Sequence, residues 1–307
     1  MTIFNMGSIN IDHIYRVDHL PRAGETISAC NLSTGLGGKG ANQSLAIARL
    51  GGRVRHIGAV GEDGTWARDA LGTAGVDTTH VVMVSDATGH AIIYVDDAAE
   101  NMIVIHGGAN RALSMGQIEV ALADAVPGDW FLAQNETNLV AEAIRVARAA
   151  GLKIAYAAAP FDATVAAGMM GQVDLLAVNA GEAAALGACL GCPVEDLPVP
   201  AALITLGTAG AVYRLRDRTG RRMETRIGSV SVDAVDTTGA GDTFLGAFLG
   251  ALDGGGDTEA ALVEASSAAA LQVTRPGAAE AIPTTSELAR FMVDRAAPVP
   301  VTAMRDA

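Results

Sequence analysis

Cysteine is scarce: Cys30, Cys189 and Cys192 are the three in a chain of 307 residues. An odd count in a chain this long argues against a disulfide framework and for a reducing compartment, the cytoplasm. Cys189 and Cys192 form a CxxC, but a tetrahedral structural zinc site takes four protein ligands, and no second pair exists. The pair closes an alanine-rich helix before Pro193, so it reads as two incidental thiols. Basic residues are also few, 21 against 34 acidic, for a formal charge of −13. That balance is a poor match for nucleic acid or an anionic membrane, and neither is expected as a partner. A phosphorylated ligand stays compatible with it, because backbone N–H groups bind phosphate locally. No apolar run approaches a membrane span, and no basic stretch followed by an apolar signal core opens the chain. The six histidines show no HExxH or comparable metal spacing.

What the chain does have is apolar content. Half of it is hydrophobic, enough for one large α/β domain or two ordinary ones. Residues 3–7 read as a strand entering the fold. Through the middle, short apolar runs alternate with helical stretches. Strands are expected at 130–133, 153–157, 174–178 and 202–206, with helices at 139–150 and 180–190. This rhythm implies βαβ units and a mainly parallel sheet covered on both faces. Two regions break it: 90–95 and 101–106 are β-rich runs joined by polar residues, a hairpin signal, and 11–33 is similarly mixed. Both are read as parts of a small β lid inserted into the main domain. The expected division is a large domain of 1–10, 34–88 and 107–296, a lid of 11–33 and 89–106, and a loose tail at 297–307.

Two glycine-rich stretches each open an apolar helix, where free N–H groups and a partial positive charge favour anionic ligands. The first runs Gly35-Leu36-Gly37-Gly38-Lys39-Gly40-Ala41-Asn42-Gln43. It satisfies GxGxxG, yet no convincing strand leads into Gly35 as a dinucleotide-binding turn requires. Gly40 also stands where a P-loop needs Ser or Thr. The second runs Asp236-Thr237-Thr238-Gly239-Ala240-Gly241-Asp242. An Asp at a helix start is commonly an N-cap. Small residues just before it, however, let N–H groups approach a phosphate, and the carboxylate beside them could accept a proton from an attacking hydroxyl. Phosphoryl transfer requires that combination.

The two glycine stretches resemble the paired signatures of the PfkB carbohydrate kinases. Further pieces resemble the ribokinase branch: Gly7-Ser8-Ile9-Asn10-Ile11-Asp12-His13, Ile105-His106-Gly107-Gly108-Ala109-Asn110 and Val273-Thr274-Arg275-Pro276-Gly277-Ala278. They stand in the family's order from about residue 3 to about residue 290. The resemblance implies a ribokinase-like three-layer α/β/α sandwich with a mainly parallel central sheet and a small β-sheet lid that often clasps a homodimer. It implies Asp242 as general base, with Gly239, Ala240 and Gly241 as the anion hole. Asp12, Gly38, Asn42 and Glu136, with Asp242, fall at sugar-binding positions. Asn179, Thr205, Gly207 and Gly210 fall at nucleotide-binding ones. Asn179 and Glu182 have the NxxE spacing tied to Mg²⁺ through water, and Asp236, Thr238 and Gly277 match a K⁺ site. The activity implied is transfer of the ATP γ-phosphoryl group to a primary hydroxyl of a small sugar, D-ribose first.

The chain departs from the family in places. Ala157-Ala158-Ala159-Pro160 replaces a common Asn-Pro-Ala-Pro, Ala180-Gly181 replaces a polar pair, and Val178 replaces a proline. Three alternatives therefore stand: a kinase for fructose, 2-deoxyribose or a nucleoside, a sugar-binding homologue of weak catalysis, and a nicotinamide oxidoreductase resting on the GxGxxG alone.

Overall fold

The computed structural model describes residues 1–98, 100–216, 219–295 and 298–305. Its main sheet has ten strands. Seven of them are β1 (Ile3–Met6), β4 (Val54–Val60), β5 (Asp77–Met83), β8 (Trp130–Gln134), β9 (Lys153–Ala157), β10 (Leu175–Asn179) and β11 (Ala201–Thr205). These pair in parallel in the order β11-β10-β9-β8-β1-β4-β5. Continuous burial explains their unbroken apolar runs: Ile3, Phe131, Leu132, Ile154 and Leu176 are fully enclosed. Three antiparallel strands extend the sheet past β11: β12 (Ala211–Arg216), β13 (Arg222–Ile227) and β14 (Val301–Arg305). The tail expectation is corrected here, since 301–305 is a paired edge strand rather than a loose end; Ala297 and residues 306–307 lie outside the described residues.

Helices cover both faces. On one side α1 (Lys39–Arg49), α7 (Ala240–Asp253) and α8 (Thr258–Gln272) pack into a core with Leu45, Ile47, Phe244, Phe248 and Leu262. On the other, α4 (Val140–Ala149) and α6 (Ala180–Leu190) pack around Ile144, Tyr156 and Leu186. The sandwich therefore has the three layers that βαβ alternation implies.

The second sheet has four strands, β2 (Asn10–Arg16), β3 (Asn31–Gly37), β6 (Gly89–Val95) and β7 (Asn101–His106), in the order β3-β2-β6-β7. β6 and β7 form the expected hairpin. β2 joins it in parallel, Asp12 opposite Ala91, a pairing that local periodicity does not encode. β3 also corrects one expectation: a strand does lead into the first glycine stretch. It is a largely exposed strand of the second sheet, antiparallel to β2, not a buried parallel strand, so the context remains unlike a dinucleotide-binding turn.

Two close approaches bring the glycine stretches together. Gly40 lies over Gly7, where a Cβ would come 2.5 Å from backbone atoms, so the start of α1 rests directly on the end of β1. Gly246 of α7 faces α1, and a Cβ there would stand 2.6 Å from Ala46 Cβ and 2.8 Å from the Gln43 carbonyl oxygen. The two helices can touch only because that side chain is absent.

Candidate active site

Helix α7 is capped by Gly239, whose φ of +76° suits glycine, and begins at Ala240. Asp242 is thus the third residue in, not the cap, and its side chain makes no capping bond. It reaches α1 instead. Gln43 Nε2 donates to Asp242 Oδ1 at 2.8 Å, and Asn42 Nδ2 donates to Oδ2 at 3.2 Å. Both helices begin earlier than the apolar runs at 44–50 and 243–252 suggest, so Asn42, Gln43 and Asp242 all sit in first turns.

Burial raises the Asp242 carboxyl above the usual carboxylate range; the Lys39 charge and the bonds from Gln43 and Asn42 oppose that, and Glu136 adds to it. The residue keeps some surface open to the cleft. A partly enclosed carboxylate with a raised pKa beside a lysine is suited to taking a proton near neutral pH.

The helix end carries free N–H groups suited to an anion. The first helical bond runs from Thr243 N–H to the Gly239 carbonyl at 2.9 Å. Ala240 N–H is turned to the Thr237 carbonyl at 3.2 Å. That leaves the N–H groups of Gly239, Gly241 and Asp242 without an acceptor among the described residues, so Gly241 is better placed than Ala240 to meet an anion.

Across the cleft, Gly38 adopts φ +93°, which turns the chain from β3 into α1. Glu136 Oε2 accepts the Ser8 hydroxyl and, at 3.0 Å, the Lys39 N–H. Asn42 is 5 % exposed, and its Oδ1 has no partner, an acceptor suited to a hydroxyl. Asp12 lies against Gly37, where a Cβ would fall 2.1 Å from its Oδ2. Burial, then the charges of Glu136 and Glu280, push Asp12 up to about 6.

Asn179 and Glu182 form a capping box on α6: Asn179 Oδ1 accepts Glu182 N–H at 2.9 Å and Glu182 Oε2 accepts Asn179 N–H at 2.8 Å. Both line a cavity of ≈ 210 Å³ with Lys39, Gly239, Gly241 and Asp242. Ala157, standing where the family commonly has an Asn, lines it too, as does Ala159. A neighbouring cavity of ≈ 640 Å³ shares Thr205, Thr237 and Gly241 with it and runs past Gly207, Gly210, Val230, Ala269 and Val273. Asp236 ties its own loop together, accepting Thr238 N–H at 2.9 Å and Gly277 N–H at 3.0 Å. Burial works to raise its carboxyl, and these bonds with the Arg16 charge hold it below the usual range.

The structure thus gathers Asp12, Gly38, Asn42, Glu136 and Asp242 at one end of a cleft, Thr205, Gly207 and Gly210 at the other, and Asn179 and Glu182 beside them. Asp236, Thr238 and Gly277 meet around the segment that leads into α7. Sequence reasoning assigned no role to Lys39, Gln43, Ser8 or Glu280. The first two stood inside the glycine stretch and Ser8 inside the Gly7–His13 piece, so these three could have been found; Glu280 carried no local signal.

The profile of the pfkB family carbohydrate kinases matches residues 2–285. The chain belongs to the PfkB carbohydrate kinase family. A ribokinase of Haemophilus influenzae is 35 % identical over 307 aligned residues, covering 95 % of this chain and 98 % of that one. A deoxyribokinase of Salmonella typhi is 31 % identical, covering 95 % and 99 %. Among solved structures, Arabidopsis thaliana ribokinase complexed with ribose and ATP superposes with a TM-score of 0.81 at 28 % identity, covering 95 % of this chain and 98 % of that one. As a family member the chain is a phosphotransferase with an alcohol group as acceptor, a sugar kinase of the ribokinase type. No helix among the described residues is long and apolar enough to cross a membrane.

Proposed function

We propose that this kinase transfers the γ-phosphoryl group of ATP to the primary hydroxyl of D-ribose, giving ribose 5-phosphate and ADP. The observation that carries the reading is Asp242, held by Asn42 and Gln43 beside the free N–H groups that open α7. Its carboxylate takes the hydroxyl proton as the oxygen attacks phosphorus, and the N–H groups of Gly239, Gly241 and Asp242 receive the charge on the transferring group. Lys39, already close enough to influence Asp242, adds a cation on the same side. Adenosine fits the larger cavity, whose walls Val230, Ala269 and Val273 are apolar.

Magnesium would be held by Glu182, which keeps one carboxylate oxygen outside the capping box, through water and phosphate oxygens. Bound there, it neutralises phosphate charge. Potassium would be held at the Asp236, Thr238 and Gly277 loop, which the Asp236 bonds already draw together; it would stiffen the anion hole from behind.

Ribose is the leading acceptor because three groups stand ready for vicinal hydroxyls: Asp12, Glu136 and the unpartnered Asn42 Oδ1. A sugar lacking a hydroxyl leaves such a group unpaired, which sites of this kind penalise strongly. The second reading, 2-deoxyribose, draws on the deoxyribokinase relative. A coupled assay of ADP release over ribose, 2-deoxyribose, fructose and nucleosides, with and without K⁺, tests the choice. Ribose should give the highest kcat/KM; preference for another acceptor overturns ribose while leaving phosphoryl transfer intact.

The lid sheet closes over the sugar and excludes water. Its outer face suits a second copy of this chain. Cross-strand register puts Val104 and Met102 with Tyr15 and Tyr94, on the side opposite Asp12, and Met102, Val104 and Leu32 are all exposed. An apolar face ending in an open strand edge is a natural dimer seam.

A further inference from the structure

Behind the cleft lies a run of buried polar side chains that the reaction scheme does not use. Asn5, Ser44, His56 and Gln134 are fully buried and Gln43 is 1 % exposed, among apolar neighbours where an unpaired polar group is costly. They bond to one another in a single line that ends on Asp242.

Backbone carbonyls, which can only accept, set the direction of that line. His56 Nε2 meets the Gly7 carbonyl at 3.1 Å, so that nitrogen carries the proton and Nδ1 is bare. Ser44 must then donate its hydroxyl to Nδ1, at 2.8 Å. Asn5 Nδ2 donates both to the Gly40 carbonyl at 2.9 Å and to Ser44 Oγ at 2.8 Å, which turns Asn5 Oδ1 to Gln134. Gln134 Nε2 splits its two protons between Asn5 Oδ1 at 2.9 Å and Gln43 Oε1 at 2.7 Å. With its oxygen engaged there, Gln43 can present only N–H to Asp242. The opposite amide orientation would set an oxygen against a carboxylate.

We propose that Gln43 is a positioning residue for Asp242, and that Gln134, Asn5, Ser44 and His56 enforce the orientation of its amide from the core. The proposal rests on Asp242 acting as the base. His56 suits its end of the line: burial lowers its pKa to about 4, so it stays neutral with one fixed donor and one fixed acceptor near neutral pH. Gln43 fixes one carboxylate oxygen and stabilises the ionised form, countering the burial that raises it.

The test compares the parent with Gln43→Met and Gln134→Leu in kcat against pH, in the titration of Asp242 followed by carboxylate carbon NMR, and in thermal melting. Loss of the N–H donor should move the Asp242 titration and the acid limb of kcat up by about one pH unit, because a carboxylate losing a donor ionises less readily. At neutral pH kcat should fall about ten-fold, with KM for ATP unchanged. Should Gln134→Leu fold poorly, Ser44→Ala cuts the same line by deleting one hydroxyl and should move both curves in the same direction by less. Lower melting temperatures with both curves unmoved overturn the proposal and leave the line a structural network. The NMR titration reads the positioning role even if turnover fails for every sugar, an outcome that would instead sink the functional reading.

Discussion

Gln43 of α1 and Asp242 of α7, 199 positions apart in sequence, meet through a hydrogen bond of 2.8 Å. The proposed base is therefore braced by a second helix, and its geometry depends on how closely the two helices lie.

That dependence is testable at Gly246, where a Cβ would press on Ala46 and on the Gln43 carbonyl. Gly246→Ala should cost about 1–3 kcal/mol of stability by overpacking. It should also lower kcat, because parting the helices moves Gln43 off Asp242. Melting temperature and steady-state turnover check both. Parent values for each would show that the close contact is dispensable.

Asp12 gives a pH signature. Its pKa rises from 3.8 to about 6 in the fold, so its contribution to stability is present below pH 3.8 and is lost as pH climbs through about 6. Asp12→Asn should then stabilise the sugar-free protein above pH 6, by on the order of 2 kcal/mol, and bring no gain below pH 4. The same substitution should weaken ribose binding at neutral pH, since the ionised carboxylate accepts hydroxyls. Melting curves across pH, with ribose titrations by calorimetry, separate the two effects. A gain that is constant across pH would contradict the shift.

Much of this arrangement was legible in the sequence, and the rest was not for identifiable reasons. The βαβ rhythm announced the parallel strands because both their faces are buried. Gly239, Ala240, Gly241 and Asp242 marked a candidate anion site because the motif is contiguous. The β2–β6 pairing joins segments some 80 residues apart, Asn10 with Gly89, and leaves no local trace. Nor does the pairing of 301–305 with β13, where small residues and nearby prolines read as a tail. Asn5 lay inside the expected strand at 3–7 and Gln134 just past the one at 130–133, with no signal joining them; only the fold shows that Gln134 bonds to both Asn5 and Gln43. Asn179 and Glu182 carried the NxxE spacing that the resemblance ties to magnesium, but not the capping box: the pair caps α6 while lining the cleft.

The lid seam makes a prediction of its own. Val104 is 57 % exposed on the face away from Asp12. The parent should run as a dimer by light scattering, and Val104→Glu should release monomers, because a buried unpaired carboxylate is costly at an apolar seam. A monomeric parent would remove the seam from the account.

The central claim is proton abstraction by Asp242 during transfer from ATP to ribose. Asp242→Asn keeps the side chain's size and removes its basicity. Its kcat for ADP release with ribose should fall by about 10³-fold, while ribose binding by calorimetry stays measurable. Turnover near the parent rate would contradict the assignment.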